Sequence, residues 1–338
     1  MDRRTLLKSA ALGFAAAGLP SRGLLAQQAT ALRVQLGWIA NVEYVDHWLA
    51  LENGYFAARG LDVTVMPGGP NAPDPLTVVA AGGAEVGYTS WLPFLDAVAK
   101  GNEFVIIAAR MQTSPLGIIS LAANPILEAK DIVGKRILAQ GPAEQTSIDA
   151  TLSLNSLPNE WEMVTAGFSP EPLVAGDGDG YTAFATNQTI TLEQMGLVRD
   201  KDFFFRSFDE LGFPGYAGIA FVAKSYLAAN RQALVDYVAA IIEGFKADEA
   251  DPAAGAAITV EKYGADYGLD VAQQTRQNEL QIGFMRPGGD PDFPLYALDP
   301  TKMEGPMYEA ARATGRTDLP PIGDIIDTTI VEDALKLV

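Results

Sequence analysis

The chain has 338 residues, 48% of them hydrophobic, and a formal net charge of −18 at pH 7. So acidic a molecule is a poor partner for nucleic acid or anionic lipid, which attract cationic surfaces. It contains no cysteine, which excludes disulfides, thiolate metal sites, cysteine nucleophiles and a lipid-bearing cysteine.

Residues 1–26 read as an export signal rather than as fold. Arg3, Arg4 and Lys8 open it, an apolar core runs from Ser9 to Leu19, and small residues lie near Ala26. The run Asp2-Arg3-Arg4-Thr5-Leu6-Leu7-Lys8 resembles a twin-arginine signal, an address read by a receptor. Its apolar core is too short to span a bilayer. The expected location is the periplasm, without lipidation. About 310 residues then remain, enough for two domains of ordinary size.

The next elements form a βαβ unit. A strand from Leu32 to Gly37 leads through a loop with Trp38, Asn41 and Tyr44 into a helix over 45–58, and Leu61 to Met66 returns as a parallel strand. Ligands in such sheets gather beyond the carboxyl ends of the strands. Trp38, Asn41, Tyr44 and the Gly68-Gly69 turn all fall there. A helix over 74–81, a strand over 85–88, a helix over 91–100 and strands over 104–109 and 116–122 follow, with Asn124-Pro125 as punctuation. The alternation then repeats, with strands over 135–139, 161–164, 180–184 and 203–205 and helices over 144–155, 170–174 and 188–195. A strand over 215–223 returns to the first lobe. An amphipathic helix over 231–250 presents Leu234, Val238, Ile241, Ile242 and Phe245 on one side, and Pro/Gly-jointed helices complete the chain. The expected organisation is two α/β lobes joined by a hinge, with 30–122 plus 212–338 in the first and 123–211 in the second.

Several short runs carry a more specific resemblance. They are Leu36-Gly37-Trp38 with Asn41, Ala50-Leu51-Glu52-Asn53-Gly54-Tyr55-Phe56 with Gly60-Leu61-Asp62-Val63, and Gly87-Tyr88-Thr89-Ser90. To these add Asp131-Ile132-Val133-Gly134-Lys135 and the run from Tyr181 to Gln188. Over 32–245 the chain resembles the ABC-transporter solute-binding proteins that bind alkanesulfonates, taurine and thiamine pyrimidine precursors. The resemblance implies the type II periplasmic-binding fold, each lobe a mostly parallel sheet flanked by helices. It also implies a monomer that binds a small-molecule solute, serves an inner-membrane ABC permease, carries no cofactor and catalyses nothing. The implied solute is a thiamine-precursor pyrimidine, with a riboflavin-like flavin, a sulfonate or an aromatic carboxylate as alternatives. An alternative of another class is an enzyme like the fungal thiamine-pyrimidine synthases, whose chemistry uses a histidine donor and a cysteine-rich iron site.

The candidate ligand contacts each have a plainer alternative. Trp38 either stacks on a flat ligand or packs as a core tryptophan. Asn41 can donate and accept at a heterocycle edge or cap a helix. Tyr44 stands where pyrimidine binders often carry histidine. Glu43 reads as a solvated first-turn carboxylate, and Arg110 as a surface or hinge ion pair rather than an anion contact. Ser90 and Trp91 precede a helix whose backbone donors could face the solute. Thr113 and Ser114 form the turn after Arg110, and Gly141-Pro142 opens a helix of the second lobe. Thr186, Asn187 and Gln188 open another helix there and are the strongest second-lobe candidates, with Tyr216 after the return strand. Asp177-Gly178-Asp179-Gly180 begins like a calcium loop, but Tyr181 and Gln188 occupy positions that need oxygen ligands. His47 is the one histidine, so neither a histidine metal pair nor a Ser-His triad is expected.

Overall fold

Residues 29–338 are described by the computed structural model, and the expected export signal over 1–26 lies outside the described residues. The strands are β1 (Thr30–Gln35), β2 (Leu61–Met66), β3 (Val86–Thr89), β4 (Phe104–Met111) and β5 (Leu116–Leu121). They continue with β6 (Arg136–Ala139), β7 (Glu162–Thr165), β8 (Gly180–Phe184), β9 (Phe203–Ser207) and β10 (Ala217–Ala223). Among the described residues they form two five-stranded sheets, in the orders β2-β1-β3-β10-β4 and β7-β6-β8-β5-β9.

The two sheets repeat one plan. β1 pairs in parallel with β2 and β3, as β6 does with β7 and β8. In each sheet the fourth strand runs antiparallel to both neighbours, and that strand (β10 or β5) is the one the chain enters on crossing from the other lobe. The crossings occupy 112–115 and 208–216. This corrects the expected boundary, because β5 lies inside the second sheet and the first lobe ends at the close of β4, not at residue 122. Its run of apolar residues is equally consistent with either sheet, so composition could not assign it.

β4 is buried along its whole length, as its continuous apolar run requires. Gly87 faces Phe221 of β10, and a Cβ there would stand 2.5 Å from the phenyl ring. The helix expected over 45–58 divides into Val45–Glu52 and Tyr55–Ala58, because Gly54 adopts a left-handed φ of +71°. The long helix begins earlier than its apolar stripe indicates, at Lys224, and kinks at Asn230 before running to Ala250. The C-terminal segment rejoins the first lobe, where the Ala109 and Ile106 amides donate to the Tyr296 and Ile325 carbonyls. No helix among the described residues is long and apolar enough to cross a membrane.

Close helix packing fixes the back of the first lobe. Helix Lys224–Ala250 approaches helix Val45–Glu52 at Gly244, where a Cβ would collide with the Asp46 carbonyl oxygen. Gly244→Ala is therefore expected to destabilise the fold by about 1–3 kcal/mol, as overpacking does. Gly283, in helix Val271–Met285, has open space around its Cβ position. Gly283→Ala should instead stabilise by roughly 0.5–1 kcal/mol. Urea unfolding of the two variants separates these signs.

Candidate functional site

The carboxyl ends of β1, β3 and β8 and both crossings meet at a cleft between the lobes. Three adjacent chambers lie there. The first, of about 280 Å³, is bounded by Trp38, Glu43, Tyr44 and Asp74 of the first lobe and by Phe184 and Thr186 of the second. The second, of about 340 Å³, shares Trp38, Glu43, Phe184 and Thr186 with it and adds the amides of Asn41, Asn187, Gln188, Gln273, Gln274 and Gln277. The third, of about 350 Å³, shares Ser90, Phe184 and Ala217 with the first and is mainly apolar, with Trp91, Phe208, Phe213 and Tyr216 in its wall. Phe184 borders all three.

Trp38 projects from the loop after β1 and is 42% exposed, so it is not a core tryptophan. Gly68 holds that loop from behind. Its amide donates to the Trp38 carbonyl at 2.8 Å, and a Cβ would strike the Leu36 carbonyl. Gly69 has a φ of +110° and abuts Ile39. Both glycines therefore support the loop rather than line a chamber. Asn41 caps the short helix Val42–Tyr44 by accepting the Glu43 amide at 3.0 Å, while its edge borders the second chamber. The Tyr44 hydroxyl accepts the Gly37 amide at 3.2 Å, and its ring lies edge-on to Tyr88 in the floor of the first chamber.

Polar groups on the other side are partly consumed in holding the lobe. Gln188 accepts the Phe184 amide at 2.9 Å, which fixes the turn that carries Phe184. Asn187 accepts from Gln273 across the lobes at 3.5 Å. Thr186 borders both the first and second chambers. Ser90 is exposed and precedes helix Trp91–Ala99 without a side-chain cap bond. Trp91 is instead buried between Phe94 and Tyr308, presenting only part of itself to the third chamber. Ser114 accepts the Leu116 amide at 3.2 Å, and Tyr216 accepts the Asp299 amide at 3.0 Å, so both hydroxyl oxygens are occupied. Thr113 faces a separate cavity beside Arg206 and Asp209. Gly141 belongs to none of the three chamber walls, although Ala143 and Ser147 of its helix line the third.

Two residues were absent from the sequence candidates. Phe184 is 45% exposed at the end of β8. It ends a strand whose other residues are buried, and nothing local in the sequence marks that it faces a cleft. Glu43 is half-buried rather than fully solvated, and it lines the first and second chambers. Burial pushes its carboxyl up from the usual value, with the Arg110 guanidinium partly opposing the shift.

Beneath this floor lies a buried ionic network. Arg110 Nε donates to Asp46 at 3.1 Å, and both side chains are wholly out of solvent, so Arg110 is neither a surface pair nor a cleft contact. His47 Nδ1 pairs with Asp46 at 2.8 Å, its Nε2 meets the Tyr237 hydroxyl at 2.7 Å, and Tyr296 donates to Asp46. Burial alone would raise the Asp46 carboxyl, but Arg110 and His47 hold it well below the usual carboxylate range. Neither lysine nor histidine occurs in the walls of the three chambers. No metal-binding cluster of His, Cys, Asp or Glu occurs among the described residues.

Residues 41–255 match the family described as NMT1/THI5 like. The chain belongs to that family. The chain spans about half the length of the curated relatives it first matches. A 4-amino-5-hydroxymethyl-2-methylpyrimidine phosphate synthase of Schizosaccharomyces pombe is 26% identical over 46% of this chain and 46% of its own. A formylaminopyrimidine-binding protein of Halalkalibacterium halodurans is 24% identical over 64% of this chain and 65% of its own. In structure, a periplasmic sulfonate-binding protein of Methylobacillus flagellatus superposes with a TM-score of 0.64 at 16% identity, over 92% of this chain and 95% of that one. Named synthases and a named binding protein are thus among the chain's relatives, and its fold is the periplasmic-binding one.

The ionic network makes its own prediction for this NMT1/THI5-like chain. Asp46→Asn leaves Arg110 buried without its counter-charge and is expected to cost about 3–5 kcal/mol in chemical unfolding. In the wild type the Asp46 contribution is fully present above the unfolded carboxylate value of about 3.9. It is lost as pH falls through the depressed native value. The variant should therefore lose less stability than the wild type on acidification.

Proposed function

We propose that this protein is the solute-binding component of an ABC importer. It works in the periplasm after export, as a monomer. It captures a small aromatic or heterocyclic solute between the lobes and delivers it unchanged to an inner-membrane permease. The solute best supported is a thiamine pyrimidine precursor. One observation carries the reading: two half-exposed aromatic side chains from opposite lobes, Trp38 and Phe184, border the same 280 Å³ chamber. Such a placement suits a flat ring, since aromatic faces give up little conformational freedom on contact. Glu43, Asp74 and Thr186 supply acceptors beside them, which matches the amino edge of an aminopyrimidine. The pyrimidines in the names of the synthase and binding-protein relatives point the same way.

The walls bear on the alternatives. A sulfonate or carboxylate entering the first or second chamber would meet Glu43 and no lysine or arginine. Burying a charge without a partner is costly, so fold likeness to sulfonate binders does not carry over to their ligand. A flavin remains the second reading, because the adjacent chambers together exceed what one ring fills. Synthase-like catalysis is disfavoured by the chain's own groups. It has no cysteine, and His47 is enclosed with both ring nitrogens engaged.

Trp38→Ala and Phe184→Ala should each weaken binding of 4-amino-5-hydroxymethyl-2-methylpyrimidine by about 1–3 kcal/mol, the scale of one lost stacking contact. Isothermal calorimetry measures this; unchanged affinity in both variants would overturn the reading. Incubation with pyridoxal phosphate and iron should yield no pyrimidine product, and turnover would establish the enzyme instead.

A further inference from the structure

The cleft is chemically lopsided. At one end, Glu43 and Asp74 approach the same chamber, and its wall contains no cation. Asp74 is exposed and spends Oδ1 on the Thr77 amide at 3.2 Å as a helix cap, which leaves its second oxygen open to solvent or solute. The nearest guanidinium, Arg110, is already held by Asp46. At the other end, Leu116, Phe208, Phe213 and Tyr216 make an apolar chamber. Its one cation, Arg316, is bound by both oxygens of Asp96 at 2.7 Å and by Thr314, so its fork is not free for an anion. Trp91, in the same wall, is buried with an indole N–H that meets no acceptor among the described residues. Ser90, Phe184 and Ala217 border both ends, which places the two chambers side by side.

Volume argues in the same direction. The first chamber holds about 280 Å³ and its neighbour about 350 Å³, so the two together have room, within the 300–1,000 Å³ typical of ligand sites, for more than one ring. A monocyclic solute would leave the apolar chamber hydrated against aromatic walls. Filling it removes that unfavourable surface.

From this we infer that the solute is bipartite. A ring bearing a basic nitrogen sits between Trp38 and the Glu43–Asp74 carboxylates, and a second apolar ring reaches past Phe184 into the chamber of Phe208, Phe213 and Tyr216. The inference rests on the reading of the cleft as a receptor for an aromatic solute, and it sets a two-ring solute against the single pyrimidine ring. Burial raises the Glu43 carboxyl, and a cationic or amidine-like donor against it would relieve that cost.

Calorimetry on the full chain with four probes tests this: benzylamine, biphenyl-4-ylmethylamine, biphenyl-4-carboxylate and 4-amino-5-hydroxymethyl-2-methylpyrimidine. Biphenyl-4-ylmethylamine should bind about tenfold or more tightly than benzylamine, the gain from one buried ring, and the carboxylate should not bind measurably. Ala143→Trp, which fills the apolar chamber, should collapse that ratio toward unity. Glu43→Gln should weaken both amines about tenfold, with circular dichroism reporting that it is folded. Equal binding of the two amines, or of carboxylate and amine, would overturn the inference. If the pyrimidine binds while the second ring adds nothing, the pyrimidine reading stands and the bipartite one falls. If the extended amine binds and the pyrimidine does not, the reverse holds. Silence from all four sinks both.

Discussion

The cleft floor depends on one ion pair that is hidden from solvent. Asp46 accepts from Arg110 Nε, from the His47 amide at 2.9 Å, from the His47 ring and from Tyr296. These donors come from helix Val45–Glu52, from the end of β4 and from the C-terminal segment. Tyr237 of the long helix closes the network through His47 and the Tyr88 hydroxyl at 3.0 Å. Removing two charges from water costs several kcal/mol per ion, recovered only where the remaining lone pairs and protons are bonded. Recovery here is incomplete, since one Arg110 guanidinium nitrogen has no partner and another reaches Gln281 at only 3.5 Å. The network is better understood as setting geometry than as adding stability. It aligns four segments under Tyr44 and Tyr88, and Arg110 stands two residues before the first crossing, so the floor and the hinge share one anchor.

Local rules reach some of this architecture and not the rest. β2 spans Leu61–Met66 and β8 spans Gly180–Phe184, both at the expected bounds. Asp74 and Asn41 cap their helices, as short polar side chains at such positions do. What failed was long-range. β5 reads as a buried strand but carries no mark of which sheet receives it. Helix Val271–Met285 buries Gln274, Gln277, Asn278 and Gln281, so its inward face is amide rather than apolar and periodicity cannot find it. Its role is to hold the Asn41 loop: the Val42 amide donates to Gln274 at 3.0 Å, and Gln281 donates to the Val42 carbonyl at 2.9 Å. Glu43 was assigned to solvent because a first-turn acid is usually exposed. Its neighbours in the cleft come from distant segments, among them Gln274, Gln277 and Thr186, which the local sequence does not show.

The same accounting separates residues that shape the cleft from those left facing it. Asn41, Ser114, Gln188 and Tyr216 all use an oxygen on a neighbouring backbone amide. Each such bond fixes a loop, and each reduces what the residue can offer a solute. Trp38, Glu43, Phe184 and Thr186 remain, two aromatic faces and two oxygen-bearing groups around one chamber. The periplasmic-binding fold sets where that chamber lies. Its chemistry is set by these side chains, which is why sulfonate binders of the same fold are no guide to its ligand.

Closure can be weighed from the groups at the rim. Arg276 bridges the lobes to Glu193 at 2.9 Å, with Arg199 sharing the same carboxylate, and helix Tyr308–Ala313 packs on helix Pro142–Leu154 at the other edge. Arg276 and Glu193 are partly solvated, and such pairs contribute about 0–1 kcal/mol. Covering the exposed parts of Trp38 and Phe184 is worth more, roughly 1–2 kcal/mol each at about 25 cal/mol per Å². Only a solute that touches both residues gains both terms, and it gains them only when the lobes are together. On the proposed reading, rim contacts of this size would keep open and closed arrangements close in energy, and the aromatic pair would supply the differential affinity by which a bound solute shifts their balance. Stronger rim pairs would close the empty cleft and exclude the solute; a cleft without the aromatic pair would bind without closing.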